Sequence, residues 1–134
     1  MKNDPGEEHI LVVRRSKAGL GLFTKEPIKR GAFVIEYTGK VLTRAEADEK
    51  GGKYLFDVNS RRVVDGTERI NRARYINHSC RPNCEAEIKG GRILISAKRA
   101  ILAGEELFYN YGKEYFNEFI KPYGCRCEKC AEKR

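Results

Sequence analysis

The chain has 134 residues, 40% of them hydrophobic and 34% charged, with 13 glycines and 4 prolines; this is the composition of one globular domain and excludes a disordered or collagen-like chain. No apolar run approaches the ~20 residues that a bilayer span needs. The opening from Met1 to His9 is polar and acidic and offers no signal peptide, so the expectation is an intracellular protein, cytoplasmic or, in a eukaryote, nuclear, and not a membrane protein. The net charge of +8 is uneven, +2 over residues 1–60 and +6 over residues 61–134. Arg61, Arg62, Arg69, Arg72, Arg74 and Arg81 crowd one stretch, which suits a patch for nucleic acid or another polyanion, or simply a solvated face.

In chain order, short apolar segments occur at Ile10–Val13, Leu20–Phe23, Phe33–Tyr37, Tyr54–Val58, Val63–Val64, Ala86–Ile88, Ile93–Ser96 and Leu107–Tyr109. Runs this short, rich in Val, Ile, Phe and Tyr and bounded by Gly, Asn and Asp, predict strands and a mainly β fold. Gly90-Gly91 in the middle of Glu85–Ser96 predicts a two-residue hairpin, because both turn positions need positive φ. Thr43-Arg-Ala-Glu46 has the form of a capping box and predicts a short polar helix that Gly51-Gly52 ends. A second helix is expected from about Lys113 to Ile120, before Pro122, and a turn or two of helix within Glu68–Tyr75. There is no internal repeat and no domain linker.

Five cysteines without a signal peptide point to a reducing compartment, where thiols serve metals or packing. Cys125, Cys127 and Cys130 offer three thiolates to one soft ion. A closed tetrahedral zinc site needs a fourth ligand, for which Cys80, Cys84, His78 and His9 are the candidates. Such a ligand from mid-chain would clamp the tail to the body and make metal binding part of folding. The segment Arg74-Tyr-Ile-Asn-His-Ser-Cys-Arg-Pro-Asn83 is dense in polar groups and reads as a functional loop or as a hydrogen-bonded core turn. Glu105–Gly112 carries Tyr109 and Tyr111 on one strand face, where they can line a pocket or simply pack. Gly19-Leu20-Gly21 can let the backbone approach a ligand, or make a turn.

Together and in this order, these motifs resemble the SET-domain family of protein lysine methyltransferases: Gly19-Leu20-Gly21, Tyr37-Thr38-Gly39, Arg74 to Asn83, Glu106 to Tyr111, and a cysteine-rich post-SET tail from Cys125 to Cys130. The resemblance covers about residues 9–130. It implies small curved sheets with few short helices and a pseudoknot-like C-terminal threading, divided into a SET domain at 9–112 and a C-terminal helix and post-SET zinc-binding segment at 113–134. It implies S-adenosylmethionine as cofactor, with Gly19, Leu20, Gly21, Tyr54, Asn77 and His78 along it and Arg74 supporting them. It also implies Tyr111 as the catalytic tyrosine, Tyr37 as a tyrosine of the lysine channel, and Tyr109 as the site that limits the number of methyls, with mono- and dimethylation favoured. Structural zinc would be held by Cys80, Cys125, Cys127 and Cys130, leaving Cys84 as a small buried hydrophobe.

The sequence departs from the family pattern at Asn110, where an aspartate is usual, at Leu20, where tryptophan is frequent, and in a tail of Cys-x-Cys-x2-Cys form, shorter than the common Cys-x-Cys-x4-Cys. The partner implied is a protein carrying the target lysine, a histone tail or another protein. The competing reading is a catalytically silent SET-like module that binds a protein tail or nucleic acid. Oligomeric state, including a homodimer, is left open by the sequence.

Overall fold

The structure is a computed structural model that describes residues 10–17, 19–112, 115 and 120–125. Among the described residues, ten short strands form four small sheets. Strand β1 (Leu11–Ser16) pairs antiparallel with β2 (Gly19–Thr24), and Ser16 lies opposite Gly19. A second sheet has β9 (Arg92–Ala97) between β3 (Phe33–Tyr37) and β8 (Cys84–Lys89). Along β9 every second side chain, Ile93, Ile95 and Ala97, is buried, which is the period-2 signature of a strand with one face on the core. Gly90 and Gly91 take φ of 56° and 80° and place Lys89 opposite Arg92, the expected hairpin.

The third sheet has β6 (Arg62–Asp65) between β4 (Lys40–Thr43) and β5 (Leu55–Asp57). Helix α1 (Arg44–Lys50) leaves β4 through the expected capping box: Glu46 N–H donates to Thr43 Oγ1 at 3.1 Å, and Thr43 N–H donates to Glu46 Oε1 at 2.8 Å. Ala47 packs there with Leu42 and Val63 in a small core of their own. The strand β4 escapes the sequence pattern because only Leu42 of its four residues is buried. Of Glu68–Tyr75 only Arg72–Tyr75 is helical, as a single 3-10 turn. The helix expected over 113–120 lies largely outside the described residues.

The fourth sheet positions the site. Strand β7 (Asn77–His78) runs parallel to β10 (Phe108–Tyr109), two short segments far apart in sequence. Side-chain bonds fasten them where the ladder is too short. Asn83, 2% exposed, donates from Nδ2 to Glu106 O at 2.8 Å and accepts Phe108 N–H on Oδ1 at 2.8 Å. Ser79 N–H donates to Tyr109 O at 3.1 Å. Residues 77–83 are thereby fastened to 106–109. The main core beneath it includes Leu22, Ile28, Val34, Ile76, Ile93, Ile95, Ile101 and Leu107, with Cys84 fully buried and its thiol pushed up to about 12 by burial.

Candidate active site

Two cavities flank the β7–β10 pair. The larger, about 1100 Å³, is lined by Leu20, Tyr54, Arg74, Asn77, His78, Glu106 and Tyr111 among others. Its floor is a small polar network. Asn77 Nδ2 donates to Leu20 O and to Glu106 Oε2, both at 2.9 Å, and Ser16 Oγ–H is 2.8 Å from each Glu106 oxygen. Both acceptors of the Asn77 amide are obligate acceptors, so its NH₂ is spent and Oδ1 is the atom it offers to the cleft. Gly21 leaves space for this arrangement: a Cβ there would stand 2.2 Å from Glu106 Oε2. Gly19, with φ of 105°, starts β2 opposite Ser16. Arg74 lies over the rings of Tyr54 at 4.2 Å and Tyr75 at 4.9 Å, and its buried Nε has no hydrogen-bond partner among the described residues. An acceptor oxygen and an orphaned cationic donor in one cleft suit the ammonium and carboxylate of an amino-acid zwitterion.

The second cavity, about 590 Å³, is aromatic. Tyr37 at the end of β3 stands 5.1 Å from Phe56 of β5, ring centre to ring centre, and Phe56 stands 6.2 Å from Tyr109 of β10. Tyr109 is 4.9 Å from Tyr111, and Tyr111 is 4.8 Å edge-on to Tyr115. Tyr37 Oη–H donates to Tyr54 O at 2.8 Å, and Tyr111 Oη–H donates to Ile76 O. Burial pushes the phenols of Tyr37, Tyr109 and Tyr111 above the usual tyrosine value, so all three are neutral hydroxyls at neutral pH. The two cavities share Lys53, Tyr54, Arg74, Tyr111 and Tyr115 and meet there.

The imidazole of His78 faces inward. Its Nδ1 accepts Tyr111 N–H at 3.1 Å and its Nε2 lies 3.4 Å from Cys80 Sγ, while burial lowers its pKa. Both ring nitrogens thus have neighbours within the protein. The ligand atoms of His78, Cys80 and Cys125 lie within 4.8 Å of one another, so the structure brings a mid-chain thiol to the tail. Soft thiols gathered with an imidazole fit zinc. Cys127 and Cys130 lie outside the described residues.

The arginine stretch is divided. Arg69, Arg74 and Arg81 line the larger cavity, Arg72 Nη1 is tied to Leu11 O at 2.9 Å, and Arg61 and Arg62 lie by the β4–β6–β5 sheet. Sequence reasoning missed Glu106, Ser16, Phe56 and Tyr115. Glu106 had a signal in its motif, whereas Ser16 and Tyr115 had none. Asn110, in place of aspartate, accepts Gly112 N–H on Oδ1 at 2.8 Å in an exposed turn, a bond that either side chain can make.

The SET domain profile matches residues 19–112. The chain belongs to the SET-domain family. It is 39% identical over 138 residues to the histone-lysine N-methyltransferase trr of Drosophila melanogaster, covering 92% of this chain and 6% of that protein. Among solved structures, the polycomb repressive complex 2 of Chaetomium thermophilum matches with a TM-score of 0.72 at 34% identity over 82% of this chain and 16% of the matched one. An autoinhibited form of ctPRC2 bound to S-adenosylmethionine matches with a TM-score of 0.69 at 36% identity, over 78% of this chain and 15% of that one. The SET domain described here therefore spans a small fraction of each of these relatives. Among the described residues, no helix is long and apolar enough to cross a membrane.

Proposed function

We propose that the chain is a protein-lysine N-methyltransferase that moves the methyl group of S-adenosylmethionine to a lysine side chain of a protein, with histones the substrate class that the relatives' names suggest. One observation carries this reading: a polar cleft fitted for an amino-acid zwitterion and an aromatic pocket touch at Tyr111. Bound, S-adenosylmethionine would supply an electrophilic methyl on a sulfonium. Asn77 Oδ1, Leu20 O and Arg74 would hold its methionine part, with the Gly19–Gly21 backbone and Tyr54 beside it.

Tyr37, Phe56, Tyr109 and Tyr111 form the walls that hold a lysine side chain in line. Orientation of this kind removes much of the entropic part of a bimolecular barrier. The amine attacks in its neutral form, which at pH 7 costs about 4.6 kcal/mol from a reference pKa of ~10.4. Desolvation by the aromatic walls lowers that cost. The raised phenols make poor bases, so the amine's proton leaves to water and Tyr111 positions and polarises. In this reading the SET domain spans 9–112 and a C-terminal helix and post-SET segment spans 113–134, whose Cys125, Cys127 and Cys130 would hold zinc together with Cys80 of the SET domain as a structural cross-link.

Labelled methyl transfer to core histones and whole-cell protein tests this. The expected result is transfer by the wild type that Tyr111→Phe lowers about 100-fold. A zinc-loaded wild type that transfers nothing, and binds a protein tail or nucleic acid instead, would make the chain a silent binding module.

A further inference from the structure

The geometry around His78 points to a role that neither a cofactor contact nor packing describes, and it rests on the zinc reading above. A backbone N–H can only donate, so Tyr111 N–H at 3.1 Å fixes Nδ1 of His78 as the unprotonated nitrogen. The ring proton then sits on Nε2, which lies 3.4 Å from Cys80 Sγ, a fitting N–H to sulfur distance. His78 is 9% exposed and stands beside Cys125, itself 7% exposed. We propose that His78 is a positioning residue that ties the metal site to the active site: Nε2–H donates to the Cys80 thiolate, Nδ1 holds the Tyr111 backbone, and the state of the thiolate is thereby felt at Tyr111.

The chemistry is that of an outer-shell hydrogen bond. A metal-bound thiolate keeps lone pairs that a nearby N–H stabilises, and such partners orient the ligand and tune its affinity. Without the metal, the Cys80 side chain is no longer held in one place, and the imidazole loses the contact that sets its plane. The consequence falls on Tyr111, whose ring also stands 5.4 Å from the imidazole, edge-on.

Two half-replacements separate the two bonds. In His78→Asn the side-chain oxygen can take the place of Nδ1 and keep the Tyr111 contact while losing the donor to Cys80. In His78→Gln the terminal NH₂ can reach the place of Nε2 and keep the donor while losing the contact with Tyr111. Zinc affinity of the full chain is measured by competition with a chromophoric chelator, and the Tyr111 amide is followed by ¹⁵N-resolved NMR as zinc is removed and restored. The expected result is zinc binding about tenfold weaker in His78→Asn and close to wild type in His78→Gln. The Tyr111 amide should move with zinc in the wild type and not in either variant.

Equal, large losses of zinc in both variants would overturn the proposal by making the imidazole a direct ligand. A stoichiometric zinc complex in which the wild-type Tyr111 amide does not respond to the metal would overturn the coupling alone. A wild type that binds no zinc would overturn the metal reading and the link with it.

Discussion

At position 21 a Cβ would meet Glu106 Oε2 at 2.2 Å and Ser16 Cβ at 3.0 Å, so a side chain there must expel the carboxylate that orients Asn77. Released from Glu106, the Asn77 amide can turn its NH₂ to the cleft and present a donor where an ammonium needs an acceptor. Gly21→Ala should therefore weaken S-adenosylmethionine binding about tenfold or more, as expected for loss of a hydrogen bond to a charged group. Calorimetric titration checks this; an unchanged affinity would remove Glu106 from the binding machinery. In the sequence Gly19-Leu20-Gly21 signals only closeness to something, and the neighbour turns out to be a protein carboxylate 85 positions away. Tyr109 carries a different consequence. Its ring is 6% exposed, packed against Tyr111, and its hydroxyl has no protein partner among the described residues. A water held by that hydroxyl would occupy the volume that further methyls fill, so Tyr109→Phe should shift products toward higher methylation states. Mass spectrometry of the product peptide decides this, and an unchanged product distribution would show that the hydroxyl does not limit the methyl count.

Local chemistry made some elements legible and distance hid others. The Gly90-Gly91 hairpin and the Thr43–Glu46 capping box are set by residues within a few positions, and both form as the sequence predicts. Strand β10 falls within the predicted strand segment Leu107–Tyr109, whereas β7 had no apolar run to mark it; what no local pattern encodes is their pairing, which the parallel ladder and Asn83 hold. The attachment of α1 to its sheet was equally invisible: Lys50 in its last turn donates to Asp65 of β6. Asp65 is 9% exposed. Burial alone would raise its pKa, but the bonds from Lys50 and Thr67 overcome this and hold it below the usual carboxylate value. A carboxyl depressed in the folded state stabilises the fold above its unfolded pKa, ~3.9, and loses that contribution as pH falls through the folded value. Lys50→Ala should lower stability by about 1.5 kcal/mol at pH 7, by leaving a buried carboxylate short of a donor. The difference between the two proteins in denaturant unfolding should shrink as the pH is taken below the carboxylate range; a difference that stays constant to acid pH would show that the ion pair contributes nothing. Asp65 also neighbours Gly39, whose Cβ would stand 1.9 Å from Asp65 O, so the Tyr37-Thr38-Gly39 turn and α1 are fixed to the same residue.

For the molecule as a whole, the C-terminal segment closes the cleft. Ile120, Gly124 and Cys125 line the same cavity as Leu20, Asn77 and Tyr111, so part of its wall depends on where this segment is held. The cysteine spacing reads as metal chemistry in the sequence and the family resemblance points to Cys80 as the mid-chain thiol; the fold brings Cys80 next to Cys125. The apolar core owes nothing to that contact: Leu22, Val34, Ile93, Ile95 and Leu107 are fully buried through strand packing. A metal held by these cysteines would therefore support a different part of the protein from the core, and the loss of each should be separable. Stripping zinc with a strong chelator should leave the far-ultraviolet β signal in place while S-adenosylmethionine affinity drops about tenfold or more, because metal binding and tail placement are one equilibrium. Restoring zinc should recover the affinity. If the β signal collapses together with the affinity, the metal holds the whole domain and not its wall; if neither changes, the cleft is complete without the tail, and the cysteines do not govern cofactor binding.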